Sequence, residues 1–176
     1  MKIIEETVRR ITISDIDGLD PIRVSLDDIG PGQGRINIEC YGQAWAYYWG
    51  SMGEDCSLAD FFCSCDEHYL AGKLSSIKAE EFDPDGLKNM LKKEVIEERR
   101  RGGTKKQARK DWDAIEEADL PESENDLWAM QNTMNELMGD EWWYRLPQKP
   151  NPDYVYLCRI IRTVQEALGA VKGVAA

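Results

Sequence analysis

The chain has 176 residues, a formal net charge of −11 and 42% hydrophobic residues, a size and composition that predict one globular domain with its own core. No apolar run approaches the roughly 20 residues that span a bilayer, and Glu5 and Glu6 stand where a secretory signal would be apolar, so we expect a cytoplasmic protein without membrane contact. The negative charge excludes general attraction of the whole molecule to nucleic acid or anionic membranes.

The first forty residues predict antiparallel sheet. Three short runs alternate apolar and polar residues with the period of two that is typical of half-buried strands: Val8 to Ile13, Ile22 to Leu26 and Ile36 to Cys40. Turn-prone segments at 15–21 and 27–34 separate the runs. We therefore predict a three-stranded sheet with one apolar face. That face consists of Ile22, Val24, Leu26, Ile36 and Ile38.

After Gly42 the apolar period becomes helical. Tyr41, Trp45, Tyr48 and Met52 recur at the spacing of one helix face, which predicts a helix lying on the sheet. This aromatic stripe has two interpretations, a core face or the lining of a binding groove. Two further short helices are predicted to begin at the capping residues Ser57 and Asp66.

The second half of the chain predicts longer helices. Asp83-Pro84 begins one helix, Gly102-Gly103 ends it, and Thr104 caps the next, so that the pair forms a helical hairpin. Another helix begins at Ser123 with Leu127, Met130, Met134, Leu137 and Met138 on its apolar stripe. The last helix begins at Asp153, after a proline-rich connector, with Leu157, Ile161, Val164, Leu168 and Val171 facing inward. The expected fold class is α+β, one domain with sheet and short helices in 1–80 and mainly helices in 81–176.

Charge is sorted into two blocks. From Lys88 to Lys110 there are ten Lys or Arg and three acids, and from Asp111 to Tyr144 there are eleven acids and no Lys or Arg. In the helix that begins at Thr104 the cations come first, which opposes the helix dipole at about 0.3–1 kcal/mol per charge. Helix stability therefore does not explain this order. The acids are interpreted either as a solvated helix face or as a functional surface.

Two sets of candidate contact residues follow from these blocks. The residues predicted to bind a partner protein with a basic surface are Asp111, Asp113, Glu116, Glu117, Asp119, Trp142, Trp143 and Tyr144. The residues predicted to bind a nucleic-acid backbone, or to pair with the acids of the same chain or of a second copy, are Arg99, Arg100, Arg101, Lys105, Lys106, Arg109 and Lys110. Adjacent Trp and Tyr side chains are frequent interface hot spots.

Cysteine and histidine offer one weak metal candidate, formed by Cys56, Cys63, Cys65 and His68. Structural zinc sites usually draw their ligands from two pairs of the form Cys-x2–4-Cys. The gaps between the three cysteines here are six residues and one residue. We therefore expect incidental thiols, with no zinc and no essential cysteine, over the alternative of a Cys–His nucleophilic pair. The acids are too numerous for spacing to single out a catalytic pair, so no catalytic residue and no cofactor are assigned and an enzyme is not favoured.

A family resemblance covers residues 8–76. The segments that carry it are Ile11 to Asp15, Asp20-Pro21, Arg35 to Gly42, Ala44-Trp45, Tyr48 to Gly53, Phe61-Phe62 and Tyr69 to Leu74. They resemble a family of small uncharacterised accessory proteins of temperate phages and prophages of enteric bacteria. The resemblance implies a phage accessory product in the host cytoplasm, and acidic products of that kind often bind host proteins, including defence nucleases. It supplies no catalytic residues.

Two functions remain open on the sequence. The first is a non-enzymatic binder or inhibitor of a host or phage protein, whose acidic surface contacts basic surface on the target and imitates nucleic acid. The second is a nucleic-acid-associated factor or enzyme that uses the basic hairpin at 88–110. Self-association through the opposite charge blocks is compatible with both.

Overall fold

A computed structural model describes residues 1–118, 121–129 and 131–174, with backbone alone at 129, 133, 136, 137 and 172–174. Its strands are β1 (Arg9–Ile13), β2 (Ile22–Gly30), β3 (Gln33–Cys40), β4 (Gln43–Trp49), β5 (Glu80–Phe82) and β6 (Gln148–Pro150). Its α-helices are α1 (Leu58–Ser64), α2 (Glu67–Leu74), α3 (Pro84–Arg100), α4 (Lys105–Glu117), α5 (Glu124–Ala129), α6 (Gln131–Met138) and α7 (Pro152–Val174). A 3-10 helix spans Trp142–Arg145. The α+β class is confirmed.

The main sheet is antiparallel, in the order β1-β2-β3-β4. Ile36 lies opposite Leu26 and Ile38 opposite Val24, so the alternating apolar residues of the two strands share one face. The five predicted apolar residues are buried, whereas Arg23 between them is exposed. The predicted register of the buried face is therefore confirmed.

The predicted helix after Gly42 is wrong, and the sheet has four strands where three were expected. Tyr41 and Gly42 have φ of 47° and 74°. Two consecutive residues in the left-handed region form the tight turn of a β-hairpin, after which the next strand pairs antiparallel with the one before it. Strand β4 then buries Trp45 and Trp49, while Tyr48 is exposed. The aromatic residues thus follow the period of two and not the helical spacing.

The turn between β2 and β3 depends on one glycine. Strand β2 continues to Gly30, past the start of the predicted turn, and Gly32 has a φ of +64°. A Cβ at Gly32 would lie 2.4 Å from the carbonyl oxygen of Gly53, and the carbonyl of Gly32 accepts a hydrogen bond of 2.7 Å from Met52 N. The glycine-rich segment is a hairpin loop followed by a strand, as expected.

Helices α1, α2 and α7 cover the apolar face of the sheet. Ser57 and Asp66 cap α1 and α2 as predicted, each accepting backbone N–H bonds through its side chain. Helix α7 begins at Pro152, one residue before the predicted cap. Its residues Leu157, Ile161, Val164 and Leu168 are buried. Val171 was predicted to face inward but is 43% exposed, and Leu168 is the last residue of α7 that the structure describes as buried.

The chain divides into two compact units, residues 1–78 with those from Pro152 onward, and residues 79–151. We call them the sheet unit and the helical unit. The helical unit has its own core of Phe82, Leu87, Leu91, Ile115, Leu127, Met134, Met138 and Trp142. The predicted stripe residues Met130 and Leu137 lie outside the residues whose side chains are described. The single-domain organisation stays a prediction. Among the described helices, none combines the length and apolarity of a membrane span.

Candidate functional site

The hairpin of α3 and α4 presents the basic residues. Thr104 caps α4, as its hydroxyl accepts a 3.2 Å hydrogen bond from Gln107 N. In the turn, Gly102 has a φ of +120°, and a Cβ at Gly103 would lie 3.0 Å from the carbonyl oxygen of Glu98. The two helices therefore meet closely at a turn that their glycines permit. At the other end of the hairpin, Leu87, Leu91 and Ile115 belong to the core of the helical unit.

All seven predicted basic residues are exposed on this hairpin, and we call them the basic tip: Arg99, Arg100, Arg101, Lys105, Lys106, Arg109 and Lys110. Arg101 pairs with Glu97 at 3.1 Å, and Arg109 pairs with Asp113 at 3.0 Å. The other five form no ion pair with any residue that the structure describes. Within the described part of the chain, five cations of the basic tip are therefore available to bind a negatively charged ligand.

The predicted acidic contact residues of α4 are different, since several are already paired. Glu116 lies 2.6 Å from Lys92 Nζ and 3.6 Å from Lys88 Nζ, and the hydrogen bond from Lys92 lowers the pKa of the Glu116 carboxyl. Asp111 accepts a 2.7 Å hydrogen bond from the Gln107 amide. Glu117 is exposed. Asp119 lies outside the described residues. Contacts within the hairpin thus occupy much of this acidic face.

A groove of about 470 Å³ runs along the basic tip between α3 and α4. Its apolar lining consists of Val95, Ile96, Ala108 and Trp112. Its charged lining consists of Arg99, Arg100, Lys105 and Arg109. We call this feature the basic groove. The Lys92 ammonium, which is paired with Glu116, lies 5.1 Å from the centre of the Trp112 ring.

A second hollow of about 310 Å³ shares Val95, Arg99 and Ala108 with the basic groove but is lined by Glu98 and Asp111 as well. Its charge is therefore mixed. The basic groove is lined by cations and apolar side chains without an acid, and it is the hollow of the two that suits a ligand combining negative charge with flat apolar surface. Trp112 is half-buried in this groove.

The predicted aromatic contact residues differ in burial. Trp142 is fully buried, Trp143 is half-buried and Tyr144 is 79% exposed. Sequence reasoning missed a fourth member, Trp128, which is 45% exposed and stacks on Trp143 with 5.4 Å between ring centres. We call Trp128, Trp143 and Tyr144 the aromatic patch. The only sequence signal for Trp128 was its place on the polar side of a predicted helix.

The weak metal candidate is not assembled as the sequence grouped it. Cys63 Sγ donates to the carbonyl of Gln165 at 3.6 Å, and burial raises the pKa of the Cys65 thiol. Within the described residues, the one group of three or more candidate ligands whose donor atoms converge contains His68 but none of Cys56, Cys63 and Cys65. It takes its thiol from Cys158 instead, a residue that no local spacing connects to His68.

Comparison with known proteins identifies the family. A family model described as a phage family, Phage_phiTE_072, matches residues 1–170. Searches of curated proteins and of solved structures found no match. The matched segment includes the predicted resemblance at 8–76 and extends through the hairpin and most of α7, and the chain therefore belongs to this phage protein family.

Proposed function

We propose that this phage protein acts by binding, without catalysis, and that its basic tip and basic groove hold single-stranded nucleic acid. The observation that carries the proposal is the composition of the groove: cations without acids around an apolar floor that includes Trp112. Proteins that bind single strands combine a positively charged groove for the backbone with aromatic side chains on which bases stack.

The apolar floor favours a single strand over a duplex. Phosphates of either form would meet the cations of the tip, because that contact depends on charge and not on sequence. A duplex keeps its bases stacked inside, so its backbone would leave Val95, Ile96 and Trp112 without a partner surface. An unpaired base offers a flat apolar face to the indole.

The net charge of −11 limits how this binding works. The acids elsewhere on the chain repel a polyanion at long range, although salt near physiological strength screens exposed charges beyond about 8 Å. Among the side chains that the structure describes, those of the exposed basic tip concentrate positive charge. We therefore expect modest affinity, weakened steeply by salt because each neutralised phosphate releases counterions.

The test compares a labelled single-stranded oligonucleotide with a duplex of equal length by fluorescence anisotropy over a series of salt concentrations. We expect the single strand to bind more tightly. Trp112→Ala should weaken that binding by about 1–3 kcal/mol, the usual contribution of one stacked base, and should leave the salt slope unchanged. Trp128→Ala is the matched control, since Trp128 is an exposed tryptophan of the aromatic patch and does not line the groove. Equal binding of Trp112→Ala and wild-type protein would contradict stacking on Trp112.

A second candidate function rests on the aromatic patch. Tyr144 and Trp128 expose large aromatic surface, which suits a hot spot for a protein partner, and the acids of residues 111–141 would attract a basic one. We propose for this function a host or phage protein with a basic nucleic-acid-binding surface, such as a defence nuclease, bound in the cytoplasm of the enteric host of a temperate phage.

The aromatic patch is tested by capture from host lysate treated with nuclease. We expect wild-type protein and Trp112→Ala to retain the same basic protein, and Tyr144→Ala with Trp128→Ala to lose it, because truncating a hot spot typically costs at least about 2 kcal/mol. Retention by all three proteins would contradict a role for the aromatic patch.

A further inference from the structure

Three donor side chains converge where α2 begins and α7 passes it, within the sheet unit. They are Glu67, His68 and Cys158, and one donor atom from each lies within 4.8 Å of the other two. His68 Nδ1 is 4.0 Å from Cys158 Sγ, and His68 Nε2 is 3.8 Å from Glu67 Oε1. No residue of this cluster belongs to the hairpin or to the aromatic patch.

Neighbouring side chains hold these donors in place. The Asp66 carboxylate accepts from His68 N at 2.9 Å and so fixes the start of α2. The Tyr154 ring lies parallel to the imidazole, with its hydroxyl 2.9 Å from His68 Nδ1. Arg162 Nε binds Glu67 Oε2 at 2.9 Å, which leaves the other carboxylate oxygen for the cluster. Such outer contacts orient ligands in metal sites.

We propose that Glu67, His68 and Cys158 bind one divalent metal ion of the zinc class. Zinc accepts a thiolate, an imidazole and a carboxylate, and three protein ligands leave a fourth tetrahedral position for water. Bond lengths of about 2.3 Å to sulfur and 2.0 Å to nitrogen place two ligands of one ion about 3.5 Å apart. The Nδ1–Sγ distance of 4.0 Å therefore needs a contraction of roughly half an ångström, and an ion bound to Nδ1 replaces the hydrogen bond between this nitrogen and the Tyr154 hydroxyl.

The site is accessible from solvent. The side chain of His68 is 64% exposed and that of Glu67 is 25% exposed, so an ion reaches the cluster. Binding replaces the S–H bond of Cys158 with a sulfur–metal bond and releases the proton to water.

This site differs from the candidate that the sequence offered. That candidate combined His68 with three cysteines that are close in sequence, and its uneven gaps predicted no zinc. The structure replaces those cysteines with Cys158, which follows His68 by 90 residues. The proposal is independent of nucleic-acid binding by the hairpin, so either can fail without the other.

The test titrates Co²⁺ into the full-length protein, stripped of metal and kept reduced, and records the absorption that a thiolate–cobalt bond produces. We expect one equivalent to saturate the signal, Zn²⁺ to displace it, and Cys158→Ser to abolish it. Cys40→Ser is the matched control, because Cys40 is as deeply buried, at 2% against 4% exposure for Cys158, and should keep the full signal.

A second variant separates metal binding from folding. His68→Gln removes the chain's only histidine at an exposed side chain and should leave the circular dichroism spectrum unchanged. It should weaken cobalt binding at least about tenfold, the lower end of what even outer contacts of a metal site cost. The proposal is overturned if wild-type protein shows no thiolate signal, if Cys158→Ser retains it, if Cys40→Ser loses it, or if His68→Gln binds cobalt like wild type.

Discussion

Reversing three cations of the basic tip, Arg99, Arg100 and Lys105, to Glu strongly weakens the expected binding of single-stranded nucleic acid and reduces its dependence on salt. All three line the basic groove, and none pairs with an acid that the structure describes. On a single strand, the salt slope changes by about 0.7 for each phosphate contact, so losing three contacts removes roughly two from the slope. Anisotropy across a salt series measures both quantities.

The same reversal should barely change stability. Exposed ion pairs are typically worth about 0–1 kcal/mol, and this variant leaves the Arg101–Glu97 pair intact. The matched control reverses Lys2, Arg9 and Arg10, three exposed cations of the sheet unit, and changes the net charge equally. If that control lost binding to the same extent, the effect would be one of total charge. A variant that melted far lower yet kept its ligand would make the basic tip structural. A changed oligomeric state on size-exclusion chromatography would point to pairing with the acids of a second copy.

Truncation of Phe62 to Ala is the second large effect, this time on stability. The Phe62 side chain has no exposed surface and meets the Trp49 ring edge-on, with 6.4 Å between ring centres. Removing a fully buried phenylalanine loses its transfer free energy and leaves a cavity, at about 3–5 kcal/mol in all. Urea unfolding, followed by far-ultraviolet circular dichroism, measures the loss for the sheet unit.

The adjacent phenylalanine provides the control. Phe61 also contacts Trp49, at 5.6 Å between ring centres, but it is only partly buried. Phe61→Ala should therefore cost clearly less, about half the value for Phe62, because less apolar surface returns to water. Equal losses for the two variants would contradict the deeper burial of the α1 face that carries Phe62.

Local chemistry in the sequence predicted much of the fold correctly. Capping at Ser57, Asp66 and Thr104 depends on residues within a few positions of each other, and it placed three helix starts. The alternation in β2 and β3 likewise needs no distant partner. Local reasoning failed where both a helical period and a strand period fit the same residues. Trp45 lies on one face with Tyr48 in a helix and on one face with Trp49 in a strand. The hairpin turn at Tyr41-Gly42 makes the segment a strand.

Most of the candidate sites depend on contacts between residues far apart in sequence. The pairing of Glu116 with Lys88 and Lys92 joins the two helices of the hairpin, so this predicted partner-binding acid takes part in ion pairs within the chain. The approach of Cys158 to His68 joins the two chain segments that form the sheet unit. Charge blocks pointed to the basic tip because clustering is visible along the chain. The apolar lining of its groove was not visible, since Ile96 and Trp112 come from different helices.

Because the sheet unit is built from two separate segments, residues 1–78 and those from Pro152 onward, its core cannot be completed until α7 has been synthesised. Helix α7 supplies five fully buried residues to that core: Leu157, Ile160, Ile161, Val164 and Leu168. At about 5–20 residues per second, the ribosome needs several seconds to make residues 79–151 after the sheet has emerged. We expect the nascent sheet to expose apolar surface during this interval and to be a client of ribosome-associated chaperones.

Folding of the helical unit shortens the loop that must close before α7 can pack on the sheet. Strands β5 and β6 pair, and Asn151 N donates to the carbonyl of Ala79 at 3.0 Å, so the two ends of this insertion meet once it has folded. Closing a flexible loop costs about 0.6 kcal/mol for each doubling of its length. A helical unit that folds first therefore delivers α7 at a lower entropic cost, and a nonsense codon before α7 would leave the sheet covered by α1 and α2 alone.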